Sequence, residues 1–339
     1  MTFTKDSEQE FAGLSLVLKP AAASTRSVPL IEWLPAFEHP LIWMATAPRG
    51  GVLKVMAVLQ QPEFYPELMQ AICLQISRNK AVIWQEKTCE VAGVEVDSSS
   101  LHVLQIPLRA QEVLPPTLGR AVHAKFFEWI GNANPALTEE VHQQAHFPGA
   151  LVAVPGKSPQ HKYLRLALLR SELLAALLWG LSQDIGKDIA LTGVVCRLED
   201  CVEIVQASSY EMLAESPGQK SIALEFLSPT SFKQIKVIQP FPLPELVFGS
   251  LLRRWNAFAP SALQFPAVEW SAVTSSFEVQ TRALKMKAGA EIGAVGWVKY
   301  EFPDAEQAKI AAVLARFAAF SGVGRKVGMG MGQVKLKEK

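Results

Sequence analysis

Ser321-Gly322-Val323-Gly324-Arg325-Lys326-Val327-Gly328-Met329-Gly330-Met331-Gly332-Gln333-Val334-Lys335, near the C-terminal end of the chain, decides the reading. Five glycines fall within eleven residues, with Arg325 and Lys326 between the first two and the last three. Glycine tolerates φ > 0 and lets backbone approach a ligand with no Cβ in the way. Adjacent backbone N–H groups beside two cations suit the oxygens of a phosphate. The flanks give the order of elements. Upstream, Asp304 is a helix N-cap, Ile310, Leu314 and Phe317 recur on one helical face, and Gly322 stops the helix. Downstream, residues 333–337 alternate polar and apolar as a short strand. The order is helix, glycine loop, strand. A dinucleotide fold needs strand, loop, helix with G-x-G-x-x-G spacing, and the Walker pattern is absent. A nucleotide-cofactor site is disfavoured, and the bland alternative is a flexible glycine hairpin.

The run Gly322-x-Gly324-Arg325-Lys326-x-Gly328-x-Gly330-x-Gly332 resembles the signature loop of CRISPR-associated repeat-processing endoribonucleases of the RAMP superfamily. The resemblance covers residues 100–339. It implies an α+β fold of two ferredoxin-like (RRM-like) βαββαβ units in tandem, with the loop between the last helix and the last strand. It also implies cleavage of precursor CRISPR RNA within the repeat, retention of the product crRNA, and assembly with other subunits of a CRISPR effector complex. A non-catalytic RAMP subunit that only grips crRNA is the alternative from another class.

Composition agrees with such a partner. The 339 residues carry a net charge of +1, but residues 1–99 are at −3 and residues 280–339 at +6. A localised basic face serves nucleic-acid binding even in a neutral chain. No apolar run is long enough for a membrane span, and no signal peptide opens the sequence. Cys73, Cys89, Cys196 and Cys201 form no C-x-x-C pair, as expected of reduced thiols and a cytoplasmic location. No metal or other cofactor is expected.

Read in order, residues 1–98 form an N-terminal extension or small α/β module. Its strands are expected at 14–18, 52–59 and 81–96, its helix at 62–77, and turns or boundaries at Gly50-Gly51 and 98–100. It either packs on the first core unit or docks a protein partner. The first ferredoxin-like unit occupies 99–215. Its strand at 101–108 precedes a helix at 118–130, ended by Gly131-Asn132-Ala133. Asn134-Pro135 then opens a second helix, Asn as N-cap and Pro at N1, which Phe147-Pro148-Gly149 stops. Strands at 149–154 and 163–168, a helix capped by Ser171, and strands at 189–197 and 202–207 complete it. The second unit occupies 216–339. It has a strand at 221–227, a helix opened by Pro244 with Arg253 and Arg254 facing away from its apolar stripe, strands at 277–284 and 292–300 with a turn at Ala288-Gly289-Ala290, and the capped helix, loop and final strand.

Six histidines are present: His39, His102, His123, His142, His146 and His161. His142 and His146 are expected on one face of one helix, but Gln143 stands where a zinc protease has glutamate, and no third ligand is evident. The family resemblance selects His142, because members carry a catalytic histidine near the end of the helix that follows an Asn-Pro cap. Some members also have a tyrosine on the preceding helix and a lysine past the histidine. Here those positions hold Phe127 and fall near Pro148. Arg120, His123 and Lys125 on the preceding helix, or His146, are the candidates to supply the missing donor or cation. Transesterification of RNA needs a base for the 2′-OH, an acid for the 5′-oxygen, and cations against charge on the phosphate. The expected products are a 2′,3′-cyclic phosphate and a 5′-OH, with no metal required. Candidate RNA contacts are Gly322, Gly324, Arg325, Lys326, Gly328, Gly330, Gly332, Arg120, Arg253, Arg254 and Lys335, the last on a basic strand face with Lys337 and Lys339. The bland readings are a surface or cap histidine for His142 and a solvated helix face for the Arg253-Arg254 pair.

Overall fold

Alternating apolar residues set the strands, and all but two of the described strands find their partners in one of three main sheets. The structure, a computed structural model, describes residues 11–21, 27–47, 52–78, 81–115, 117–286 and 289–337. The first sheet is built from β1 (Gly13–Pro20), β2 (Ser27–Pro29), β3 (Leu41–Ala45), β4 (Leu53–Leu59), β5 (Ala81–Trp84) and β6 (Lys87–Asp97) in the order β2-β5-β6-β1-β4-β3, with α1 (Tyr65–Ser77) between β4 and β5. Leu14, Leu16 and Leu18 of β1 are buried with Tyr65, Leu68 and Ile72 of α1. On the other face, Met44, Met56 and Val58 join the core of the next unit. The stretch 81–96, read as one strand, is a hairpin: Gln85 and Glu86 both take positive φ, the geometry of a tight two-residue turn. Gly50-Gly51 lies outside the described residues.

The second sheet follows β7 (Leu101–Ala110), α2 (Gly119–Ala133), α3 (Pro135–Gln143), β8 (Gly149–Pro155), β9 (His161–Leu168), α4 (Glu172–Ser182), β10 (Asp188–Leu191), β11 (Val194–Leu198) and β12 (Glu203–Ser208). Its order is β10-β11-β7-β9-β8, with β12 also pairing β7. Taking β11 and β12 together as the fourth strand, beside β7, gives the ferredoxin-like order 4-1-3-2. The segment 189–197 divides at Thr192-Gly193, where both residues have positive φ. Gly131 does not end α2, which runs on to Ala133. Asn134 does cap α3, its Oδ1 accepting from Leu137 N–H at 3.0 Å, with Pro135 at the first helical position. Ser171 makes no side-chain cap bond and is itself helical, so α4 is held by its leucines instead. A short helix, α5 (Tyr210–Ala214), leads out.

The third sheet contains β13 (Ser221–Thr230), β16 (Val273–Met286), β17 (Gly289–Glu301) and β18 (Val334–Leu336), ordered β16-β17-β13-β18. This is the same 4-1-3-2 arrangement, with α6 (Pro244–Phe258) and α7 (Ala305–Ser321) as its helices. A small hairpin of β14 (Phe232–Gln234) and β15 (Val237–Gln239) stands apart. The fold is therefore α+β, two ferredoxin-like units behind an additional N-terminal α/β sheet. Asp304 caps α7 by accepting from Gln307 N–H, and Gly322 closes it at φ 65°. Of the turn at Ala288-Gly289-Ala290, Ala288 lies outside the described residues.

Two arginines couple the ferredoxin-like units. Arg254 of α6, only 5% exposed, donates from Nη2 to the carbonyls of Phe147 (3.0 Å) and Gly149 (2.8 Å). Arg165 of β9 donates to Gln333 Oε1 and to the Ala319 carbonyl. Burial lowers each guanidinium pKa to about 10, still charged at neutral pH.

Candidate active site and RNA interface

The site grows from residues four apart on α2. His123 and Phe127 share one face, which lies under the glycine loop. The loop contains a short 3-10 turn at Val327–Met329. His123 Nδ1–H donates to the Gly328 carbonyl at 3.1 Å. With Nδ1 carrying the proton, the neutral ring has its lone pair at Nε2. Burial lowers the His123 pKa, opposed by the Gly328 bond and reinforced by the charges of His142 and Arg120.

The contact between loop and helix depends on missing side chains. A Cβ on Gly119 would lie 1.8 Å from the Met329 carbonyl oxygen, and one on Gly328 would lie 2.9 Å from the Phe147 ring. Around the turn, Gly322, Gly324, Gly330 and Gly332 all take positive φ, and Lys326 takes the left-handed conformation at φ 54°.

α3 brings the second imidazole. Its ring stacks on Phe127, with centroids 3.8 Å apart and planes 12° from parallel: this is His142, in the last turn of the helix and exposed to solvent. Phe127 also meets His123 edge-on at 4.8 Å. Phe147 closes the back of the cluster at 5.4 Å from His123. Two imidazoles therefore flank one aromatic ring, and one of them is bonded to the glycine loop. The arrangement offers two proton-transfer groups, one of them bonded to the loop that carries Arg325 and Lys326.

The loop is more self-contained than its glycine content suggests. Amides of Val323, Gly324, Arg325, Met329, Met331 and Gly332 donate to Gly332 O, Ser250 Oγ, Ser231 O, Lys326 O, Lys326 O and Pro229 O. These six amides are engaged within the protein and are not open to a phosphate. The loop presents the side chains of Arg325 and Lys326, each about 30% exposed and both paired with Glu291 of β17.

Comparison with known proteins places this architecture. The family described as "CRISPR-associated endoribonuclease Cas6" matches residues 224–334. A protein of that name from Mycobacterium tuberculosis (strain CDC 1551 / Oshkosh) is 28% identical over 203 residues, 53% of this chain. That match spans 64% of the relative's own length. Among solved structures, Thermus thermophilus Cas6 (TTHB231) in a product complex superposes with a TM-score of 0.64 at 25% identity, covering 70% of this chain and all of the other. Cas6 (TTHA0078) in a product complex gives 0.56 at 29% identity, with 70% of this chain and 100% of that one covered. The chain is thus similar to Cas6 proteins, in sequence over its last third by the family description and over about half its length by the curated relative, and in fold over 70% of its length.

Within this chain the remaining candidates separate. His146 is not on a shared helical face with His142, because α3 ends at Gln143, Gln144 is extended and the chain bends at Ala145 and His146. It lines a different cleft of about 600 Å³ with Gln144, Arg170 and Tyr210, where burial and then Arg254 and Arg253 lower its pKa. Lys125, two residues from His123 and so on another side of α2, pairs with Glu128 at 2.7 Å and Asp184 at 3.4 Å. Asp184 also accepts from Trp129 Nε1, so Lys125 belongs to a helix-packing network. Arg254 is buried and holds two carbonyls; it does not face away from the core and cannot reach an RNA strand in this arrangement. Its neighbour Arg253 is exposed, as is Arg120 at the start of α2. Lys335 is exposed but paired with Glu225 at 3.1 Å, Lys337 lies over the Trp297 ring at 3.7 Å, and Lys339 is outside the described residues.

Three contributors escaped the sequence reading. Phe147 was only a helix stop, although an aromatic next to Pro-Gly is a fair sign of a packed corner. Gly119 at the first turn of α2 marks a close approach that sequence alone leaves unnamed. Glu291 carries no local signal, because its partners lie 34 and 35 positions away.

Proposed function

We propose that this chain is a metal-independent endoribonuclease that cleaves CRISPR repeat RNA to give mature crRNA, with residues 322–332 gripping the backbone. The observation that supports it most is the meeting of the His142–Phe127–His123 cluster with Gly328 of the glycine loop. In the reaction the ribose 2′-oxygen attacks the adjacent phosphorus and the bond to the 5′-oxygen breaks. The 2′-OH proton goes to one imidazole, and the leaving oxygen takes a proton from the other. His123 suits the base role, since burial keeps it neutral and Nε2 is the unprotonated nitrogen. His142, exposed at the helix end, then serves as the acid. Arg325 and Lys326, with the exposed Arg120 and Arg253, counter charge on the phosphate. The nucleophile is a neighbouring hydroxyl, so no metal-bound water is needed, and the products are a 2′,3′-cyclic phosphate and a 5′-OH.

The same reading gives three modules, residues 1–98, 99–215 and 216–339, with the first as a surface for other subunits of an effector complex in the cytoplasm. Among the described residues no helix is long and apolar enough to cross a membrane. Phe127 in the place of a family tyrosine favours one second reading, a subunit that holds crRNA without cutting it. Incubation of repeat RNA with the protein in EDTA decides. Cleavage by the wild type and its loss in His142→Ala are expected. Binding without cleavage by the wild type would favour the gripping subunit, and full cleavage by the variant would remove His142 from the chemistry.

A further inference from the structure

The two cations of the glycine loop share one carboxylate. Arg325 Nη1 donates to Glu291 Oε2 at 3.1 Å, and Lys326 Nζ donates to Glu291 Oε1 at 2.5 Å. Each oxygen takes one cation, so the carboxylate bridges the pair. Glu291 lies near the start of β17, opposite Leu284 of β16, in the long β16–β17 hairpin rather than in the loop. Its side chain is 19% exposed, against 28% for Arg325 and 30% for Lys326, so the cluster sits at the surface with its charges facing one another. The hydrogen bond from Lys326, helped by the charges of both cations and opposed by partial burial, holds the Glu291 carboxyl below its ordinary pKa, and it is ionised at neutral pH.

A phosphodiester presents what this carboxylate presents: two terminal oxygens sharing one negative charge, each able to accept from a separate cation. We propose that Glu291 fills, in the free protein, the subsite that an RNA phosphodiester takes between Arg325 and Lys326, and that the RNA must displace it. The inference rests on the reading that the glycine loop binds RNA. Exchange of one anion for another at the same two cations yields little net attraction. A lone phosphate therefore gains almost nothing here, whereas a strand engages further cations with its other phosphates and carries the exchange. Glu291 is in this sense a selectivity residue: it raises the requirement from a phosphate to a polyanion. After displacement its charge faces the strand, and it takes up a counterion that the binding would otherwise release.

The consequence has a sign that a supporting role would not give. If Glu291 only oriented the two cations, its removal would weaken RNA binding. If it competes with phosphate, its removal strengthens binding even while the free protein loses two charge-assisted bonds. Fluorescence anisotropy with a labelled repeat RNA, at several salt concentrations, is run on the full chain as wild type, Glu291→Gln, Glu291→Ser, Arg325→Ala/Lys326→Ala, and the triple variant with Glu291→Gln. Both Glu291 variants are expected to bind at least about threefold more tightly, with a salt slope steeper by about one. In the loop double variant Glu291→Gln is expected to change nothing, since the competition has no site. A melting curve confirms that each variant is folded. Unchanged or weaker binding by both folded Glu291 variants, with the loop double variant still weakened, overturns the displacement while leaving RNA binding by the loop intact. A loop double variant that binds like the wild type overturns the RNA reading of the loop, and this inference with it.

Discussion

The ring of Phe127 is the residue on which the proposed chemistry turns, although it has no group to transfer a proton. It is 9% exposed and holds His142 by stacking at 3.8 Å while meeting His123 edge-on. Phe127→Leu keeps the burial and removes the platform. Single-turnover cleavage at saturating RNA is expected to fall about tenfold or more, short of the roughly 10²–10⁴-fold loss expected for His142→Ala, while RNA affinity stays within a few-fold. An unchanged rate would show that the stack positions nothing. His123 gives a pH prediction. Its pKa in the folded chain is below the ordinary 6.5, because burial penalises the cation. The unfolded chain therefore takes up that proton first as pH falls, and the stability associated with the neutral ring is complete above about pH 6.5 and declines below it. Thermal melts across pH 5–8 are expected to show a shallower acid-side loss for His123→Gln than for the wild type. A heteronuclear spectrum is expected to show the Nδ1–H tautomer at neutral pH.

Helices α2 and α6 carry the site by the way their ends and faces are used. Gly119 opens α2 beneath the loop, and Gly119→Ala drives a methyl into the Met329 carbonyl, so the loop must move. Such overpacking costs about 1–3 kcal/mol, and the melting temperature and the cleavage rate are expected to fall together. On α6, Arg253 and Arg254 divide by their surroundings. Arg254→Ala strands the Phe147 and Gly149 carbonyls and is expected to destabilise the fold by about 2–4 kcal/mol, measured by denaturant unfolding. Arg253→Ala is expected to leave stability alone and to reduce the salt slope of RNA binding by about one. The ends of elements were legible in the sequence, because Asn134-Pro135, Asp304 and Gly322 act on their own neighbours. Outward direction was not. Arg253 and Arg254 read as one outward pair, although Arg254 lies seven residues after Val247 and three after Leu251 and so shares their apolar face; what a helix wheel cannot show is that this side of α6 meets the corner at Phe147. Likewise the i, i+4 spacing of His142 and His146 says nothing once α3 stops at Gln143, and Lys125 reads as an available cation until Asp184 comes to it from the end of α4.

At the scale of the whole molecule, the family resemblance was read over residues 100–339, and the family description matches 224–334 of them. The two 4-1-3-2 sheets were legible because each strand and helix leaves a local pattern in a repeated order. The six strands of the N-terminal sheet were only partly legible, since β2 and β3 are short and gain their identity from pairing partners distant in sequence. What no local pattern could reveal is the contact on which the proposed chemistry rests, 205 positions apart in sequence, between His123 and Gly328. In the proposed function it joins the glycine loop of one ferredoxin-like unit and the imidazoles of the other into one composite site. Photo-crosslinking tests that directly, using a repeat RNA with a 4-thiouridine next to the scissile phosphate and mapping the attached peptides. The account predicts adducts on both the 322–332 segment and the α2–α3 segment, 119–143. Adducts confined to either one, or to neither, would contradict it.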